Sequence, residues 1–408
     1  MSTALVLTTF FPPETEADRG GMHRRVGAML QALRPRFRRI EMLHIQAPIR
    51  STDSAKQSAF WGMDVHTSTL TRHEGAAPFL DDHIRGLTDL SRQHPYHRYA
   101  SPDLLRALQA RLDTHPDLII VDRLEPMIAL RRCTTNAPIL LDLNDIVHKM
   151  ERAALAGQRP GLRKALAWAK WPALFWEERR AAKRATRTAV CSATDADYLR
   201  RLGFPGTVVT IPNAIAMPAH PPGPAPDPTV LFLGTYGYPP NRAAAERLVQ
   251  RIWPLILAQR PEARLIIAGP GGKNLPSRAA APPGVDYRGY VPDLAALYAG
   301  TAIVCCPLTE GGGTRLKLVE AAGYARPIVS TAKGAEGLGF QHGHEMLLAE
   351  TDIELAQACV TLLTDPPLAA RLAAAARTAT VAAFDLDHVV ANIGRLIDEI
   401  VPPITLAR

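Results

Sequence analysis

The stretch EGGGTRLKLVEAA, residues 310–322, places three glycines ahead of two cations, Arg315 and Lys317, and a carboxylate, Glu320. An apolar run, AIVCCPL (302–308), precedes it, and a second apolar run, PIVST (327–331), follows. Strand, turn, helix, strand is the pattern of a parallel sheet with crossover helices. In such folds ligands collect at the carboxyl ends of strands, in the turns that lead into helices. Gly312 and Gly313 let the backbone approach a ligand closely. Thr314 is the expected N-cap, and the amides at the helix start are free to meet an anion. Arg315 and Lys317 can add charge-assisted bonds to phosphate, and Glu320 can accept bonds from a pair of sugar hydroxyls. The alternative is a flexible loop with a surface Lys317–Glu320 pair at i, i+3. The turn is not a phosphate-binding P-loop or a dinucleotide fingerprint, because neither glycine spacing occurs.

Working outward, strands and helices alternate on both sides of this stretch. TALVLTTFF near the start, PDLIIVDRL, APILLDLND and TRTAVCS read as buried strands, and MHRRVGAMLQAL carries a helical apolar stripe through Val26, Met29, Leu30 and Leu33. Residues 216–228, AMPAHPPGPAPDP, hold six prolines in thirteen positions and read as a stiff, extended linker. The pattern restarts with TVLFLG, a helix from about Asn241 to Gln259, and the strands ARLIIAG and VDYRGYV. The expectation is an α/β protein of two doubly wound, Rossmann-like domains, residues 1–211 and 212–383, with residues 384–408 forming a return helix toward the first. A chain of 408 residues suits two cores better than one.

Charge is uneven. Residues 1–210 hold 31 Lys and Arg against 22 Asp and Glu, a net +9, while the rest is close to neutral at −1. Much of the excess lies in residues 159–187, where nine cations accompany Trp168, Trp171, Phe175 and Trp176. Trp168, Trp171 and Phe175 share a helical face, and Pro172 is expected to break or restart the helix. This segment reads either as a core-packed helix with a solvated basic side or as a site for an anionic acceptor or membrane surface. No apolar run reaches membrane-spanning length and the N-terminus lacks a signal-peptide pattern. Five cysteines without metal spacing point to reduced thiols in the cytoplasm.

The order of these pieces resembles the GT-B glycosyltransferases, in particular glycosyltransferase family 4, the group 1 retaining enzymes. PLTEGGGTRLKLVEAAGYARPIVSTAKGAEGL is similar to the family signature, FLGTYGYPPNRAAAERLVQRIWPLI to the first strand, loop and helix of its donor domain, and IPNAI (211–215) to its domain-junction turn. FPPETEADRGG resembles the glycine-rich loop after its first strand. The resemblance is strong over 229–340 and weak in the first half. It departs at three places. The first of the family's two spaced glutamates falls on Gly312, the usual basic pair after the first donor-domain strand is missing, and Asn144 stands where many relatives have a histidine.

The resemblance implies two domains facing across a cleft and a nucleotide-sugar donor bound by residues 212–383. It implies transfer with retention to a hydroxyl of a glycan, lipid-linked or small-molecule acceptor, as in polysaccharide biosynthesis. Arg315 and Lys317 would meet the diphosphate, Glu320 the ribose, and Asp145 the acceptor or the transferring sugar. Gly234, Asn241, Gly312, Gly313 and Thr314 would line the donor site, and Tyr290 and Val291 would frame the base. Gly20 and Gly21, with Arg24 or Arg25 one turn into the helix, would form a loop closing over the donor phosphates and the acceptor, and His148, like Asp145, would contact the acceptor or the transferring sugar. No cofactor and no metal are expected, nucleic acid is not an expected partner, and the enzyme would be cytoplasmic, peripheral at the inner face of a membrane if the basic segment docks there. An epimerase or phosphorylase on the same fold, or a non-catalytic partner subunit, remain open alternatives.

Overall fold

A computed structural model describes residues 2–9, 21–46, 66–71, 78, 82, 84–157 and 159–401. Among them the chain divides into two compact units, one built on residues 22–212 with the first strand and the residues from Val390 onward, the other on 213–389.

The first unit is a seven-stranded sheet in the order β3-β2-β1-β4-β5-β6-β7. Its strands are β1 (Thr3–Thr8), β2 (Arg39–Gln46), β3 (His66–Thr71), β4 (Leu118–Asp122), β5 (Ile139–Asn144), β6 (Arg187–Val190) and β7 (Thr207–Thr210). Every pairing is parallel. Both faces are covered, which is why LIIVD and ILLDLN are apolar throughout instead of alternating. Helices α1 (Gly21–Leu33), α2 (Pro102–Leu112), α3 (Leu124–Leu130), α4 (Val147–Gly157), α5 (Leu162–Arg184) and α6 (Ala193–Arg201) belong to this unit. The stripe of α1 at Val26, Met29, Leu30 and Leu33 is buried, as its periodicity implies. Helix α5 runs unbroken through Pro172, against expectation. Of its aromatics, Trp171 and Phe175 turn inward: their rings stack 5.7 Å apart, and Trp171 Nε1 donates to His148 O at 2.8 Å.

The second unit is a six-stranded parallel sheet in the order β10-β9-β8-β11-β12-β13. The strands are β8 (Thr229–Leu233), β9 (Arg264–Ala268), β10 (Val285–Tyr287), β11 (Ile303–Cys306), β12 (Ile328–Ser330) and β13 (Leu347–Leu348). Its helices are α7 (Pro239–Arg247), α8 (Trp253–Gln259), α9 (Leu294–Ala299), α10 (Leu316–Gly323), α11 (Asp352–Thr364) and α12 (Pro366–Phe384). The helix expected over 241–259 is split by a π-turn at Leu248–Ile252. Pro254 lacks the amide that would continue the α ladder, and the wider turn absorbs the gap. Strand β10 stops at Tyr287, so Tyr290 and Val291 lie in the loop beyond it rather than at a strand end.

The proline-rich segment is not a free spacer. It has no helix or strand, but Arg326 Nη2 donates to Pro222 O and to Gly223 O at 2.6 Å, and Arg377 Nη2 to Pro218 O at 2.8 Å. Two arginines thus strap it to the second unit. The last helix, α13 (Leu386–Ile400), starts in the second unit and ends among residues of the first, where Asp398 pairs with Arg36 at 2.7 Å.

Candidate donor site

In the second unit, β8 and β11 are neighbours, and the turns after them meet at the carboxyl edge of the sheet. Gly234 directly follows β8. A Cβ there would lie 3.1 Å from Lys317 Nζ and 3.1 Å from the Asn241 amide carbon, so a side chain would displace both. Lys317, in the first turn of α10, donates to Asn241 Oδ1 at 2.6 Å, and its ammonium sits 4.4 Å from the centre of the Phe232 ring. The Asn241 amide donates in turn to Thr235 O at 3.0 Å. Lys317 is therefore held by a neutral acceptor and an aromatic face in place of a hydrogen-bonded carboxylate. Burial, with Arg315 acting in the same direction, pushes its pKa down to about 8, against the opposing pull of Cys306 and Glu320.

The glycine turn itself is built around Arg315. Gly311 has φ +105°, and a Cβ on it would stand 2.8 Å from the Tyr238 hydroxyl, so glycine is required there. Arg315 occupies the N-cap position of α10 in place of the expected Thr314 and makes no side-chain cap bond. Its guanidinium folds back on its own loop, with Nη1 donating to Gly312 O and, at 2.8 Å, to Gly313 O. Arg315 is only 7% exposed, and its Nε and Nη2 have no partner among the described residues; neither does Thr314 Oγ1 one residue earlier. Buried donors without acceptors are costly, more so when charged. An anion would suit these donors best. Glu320, also 7% exposed, is a buried carboxylate, which removes the surface-pair reading of Lys317 and Glu320.

Of the residues singled out in the sequence, the second unit brings Gly234, Asn241, Gly312, Gly313, Thr314, Arg315, Lys317 and Glu320 to one edge. The segment carrying Tyr290 and Val291 borders it, since Gly269 N, after β9, donates to Gly289 O at 2.9 Å, and Tyr290 is exposed.

The first unit carries the remaining candidates. Gly20 lies outside the described residues, and Gly21 begins α1. Arg24 and Asp145 are half-buried. His148 does not fit an acceptor contact. It is fully buried, its Nδ1 paired with the Glu178 carboxylate, and its ring stacked on Tyr198 and Phe204 with centroids 5.6 Å away in each case. The motif reading missed a network beside it. Arg25 makes a two-pronged bond to Asp142, 2.6 Å on each oxygen, and donates to Ile211 O. Asp122, bonded by Thr8 Oγ1 at 2.7 Å, is pushed up to about 7 by burial, against the charge of Arg123. The signal was present: Asp122 and Asp142 each fall at or near the carboxyl end of an otherwise apolar strand.

The protonation of Lys317 gives a testable consequence. Protonated, it attracts a diphosphate; above about pH 8 the free protein loses that charge. The contribution of this charge to affinity for a nucleoside diphosphate is expected to be level below about pH 7, and its loss to weaken binding about tenfold from about pH 7 to pH 9. Titration calorimetry across that range reads it, and Lys317→Met is expected to bind weakly with no such slope. A wild-type affinity that stays level through pH 9 would contradict it.

Two family models match the chain, Glycosyltransferase Family 4 over residues 55–217 and Glycosyl transferases group 1 over 227–365, together well over half of it. Among solved structures, sucrose-phosphate synthase from Thermosynechococcus elongatus superposes with a TM-score of 0.73 at 20% identity, covering 98% of this chain and 99% of that one. HepE from Anabaena, in complex with UDP-glucose, gives 0.67 at 16% identity, covering 98% and 100%. TarM from S. aureus gives 0.67 at 12%, covering 97% and 99%. An uncharacterized 44.6 kDa protein in the cps region of Klebsiella pneumoniae is 28% identical over 137 residues, 31% of this chain and 35% of that protein's length.

Proposed function

Because the chain belongs to the group 1 and family 4 glycosyltransferases of GT-B fold, we propose that it transfers a sugar from a nucleotide-sugar donor, with retention, to a hydroxyl of a glycan, lipid-linked or small-molecule acceptor. The observation that carries this reading is the buried Arg315–Thr314 turn, with three polar atoms that have no partner among the described residues. As the bond from the sugar's anomeric carbon to the diphosphate oxygen breaks, negative charge grows on the leaving group. Donors already aimed at that charge lower the barrier without reorganising. Arg315 and Lys317 supply them from the start of one helix, so the proposed chemistry calls on side-chain cations in place of a metal. Two features support the nucleotide sugar as the donor: the pair of cations at a helix start, and the UDP-glucose held by HepE.

The five cysteines are free thiols, all buried, and no helix among the described residues is long and apolar enough to cross a membrane. Both support a reaction in the cytoplasm.

Glu320 is the proposed ribose ligand. Glu320→Gln is expected to weaken nucleotide binding by about 1–3 kcal/mol with an unchanged circular dichroism spectrum. A 2′-deoxy nucleotide should show a similar loss on wild type and no further loss on the variant. Additive losses would assign Glu320 another role. The activity itself is tested by following nucleotide release from UDP-, GDP-, ADP- and TDP-sugars with and without acceptor extracts. Acceptor-dependent release supports a transferase, and acceptor-independent conversion of the sugar contradicts it.

A further inference from the structure

Helix α5 carries a second apolar stripe, on the side away from the packed one. Leu162, Ala165, Leu166, Ala169, Pro172 and Trp176 recur at three- and four-residue spacing and all are exposed, Leu162 at 76%, Leu166 at 43% and Trp176 at 52%. The opposite side, with Trp171, Leu174, Phe175 and Glu178, is the one that packs. Trp168, 37% exposed, flanks the outer stripe. Ile84 and Leu87, also exposed, lie at a short 3-10 helix, Arg85–Leu87, that packs against α5. Single exposed apolar residues need no explanation, but a continuous stripe does.

The charge that residues 159–187 themselves show to solvent is of one sign, with Lys170 paired to Asp82 of a neighbouring segment at 2.8 Å. Residues 159–187 contain nine cations and two carboxylates. Both carboxylates are withdrawn from the surface: Glu177 pairs with Arg131 at 2.9 Å and Glu178 with His148, each with a side chain at most 1% exposed. Arg163 and Lys183 are exposed, and Arg180 is about half exposed. What this helix shows to solvent is leucine, alanine and tryptophan edged by cations.

We propose that this face of α5 docks in the plane of an anionic lipid bilayer. An interfacial helix needs an apolar face to sink to the headgroup boundary and basic residues to meet anionic headgroups. Each such cation contributes about 1 kcal/mol near an anionic surface, falling off within a Debye length, and indole rings favour the interface. A second copy of the chain suits the surface less well. A two-fold contact would press the same patch against itself and bring its cations together. The inference does not depend on the donor site, and its residues are separate from that site.

Co-sedimentation with vesicles tests it, using phosphatidylcholine alone and phosphatidylcholine mixed with phosphatidylglycerol, at low and high salt. Wild type is expected to pellet with the phosphatidylglycerol vesicles at low salt and to be released at high salt. The triple variant Leu162→Ser, Leu166→Ser, Trp176→Ser, at exposed positions, is expected to fold as wild type and bind at least about tenfold more weakly. The proposal is overturned if wild type stays in the supernatant at low salt, or if the triple variant binds as wild type does. It is also overturned if light scattering finds a wild-type dimer that the triple variant splits, which would show that a second copy covers this face.

Discussion

Arg315→Ala is expected to lower kcat/KM for glycosyl transfer by about 10²–10³-fold and nucleoside diphosphate affinity by about 1.5–3 kcal/mol, while the ligand-free protein keeps its stability. The two halves of this result have one cause. In the free protein the guanidinium is buried and, among the described residues, bonded only to carbonyls of its own loop, with Nε and Nη2 unpartnered. Desolvated charge without a counter-ion contributes nothing to folding, so its removal relieves the native state. The same charge contributes fully once a diphosphate supplies the acceptor. Thermal unfolding, calorimetry and turnover on one preparation read all three quantities. A variant that melts well below wild type and still binds nucleotide normally would make Arg315 a loop brace.

Asp142→Ala is expected to cost about 3–5 kcal/mol of stability, the largest effect at any single position discussed. Arg25 and Asp142 are both almost fully buried, and removing the carboxylate strands the guanidinium. Burial opposes the charge on Arg25, and Asp142 more than restores it, so the net displacement of its pKa is upward. The pair ties α1 to the end of β5, and the third arginine bond reaches Ile211 O, the last residues before the chain passes into the second unit. Replacing both partners, Arg25→Met with Asp142→Leu, is expected to recover much of the loss, since no charge is then left unpaired. Urea denaturation of the three variants measures this. Equal losses in the single and double variants would show that shape, not charge, is what the site requires.

The parallel sheets were legible because doubly covered strands are apolar throughout and helices keep their own period. The glycine turn was legible as a candidate site because it sits between a buried strand and a helix. What the sequence could not show were pairings across long separations. Asn241 and Lys317 meet through the adjacency of β8 and β11, and nothing local to either announces it. His148 follows a strand end as a ligand-facing residue would, yet Glu178 and four aromatic side chains enclose it. In α5 the periodicity contains two apolar stripes, and period alone does not say which one packs. Trp171 and Phe175 face in, while Trp168 is left exposed and the stripe from Leu162 to Trp176, which went unremarked, faces out. Thr314 has the chemistry of an N-cap, but Arg315 takes that position one residue later, and the Thr314 hydroxyl has no partner among the described residues.

In the proposed function the turn at 311–317 holds the diphosphate of the donor. A thermal-shift screen with UDP, GDP, ADP and TDP identifies the preferred base, because a ligand at 100 times its dissociation constant stabilises by about 2.7 kcal/mol. The decisive measurement is then calorimetric binding of that nucleoside diphosphate and of the same nucleoside without phosphate, to wild type and to Arg315→Ala. The account predicts a large preference for the diphosphate in wild type, most of it lost in the variant, with nucleoside affinity unchanged. If the variant keeps the wild-type preference for the diphosphate, the phosphate is held elsewhere and the claim fails.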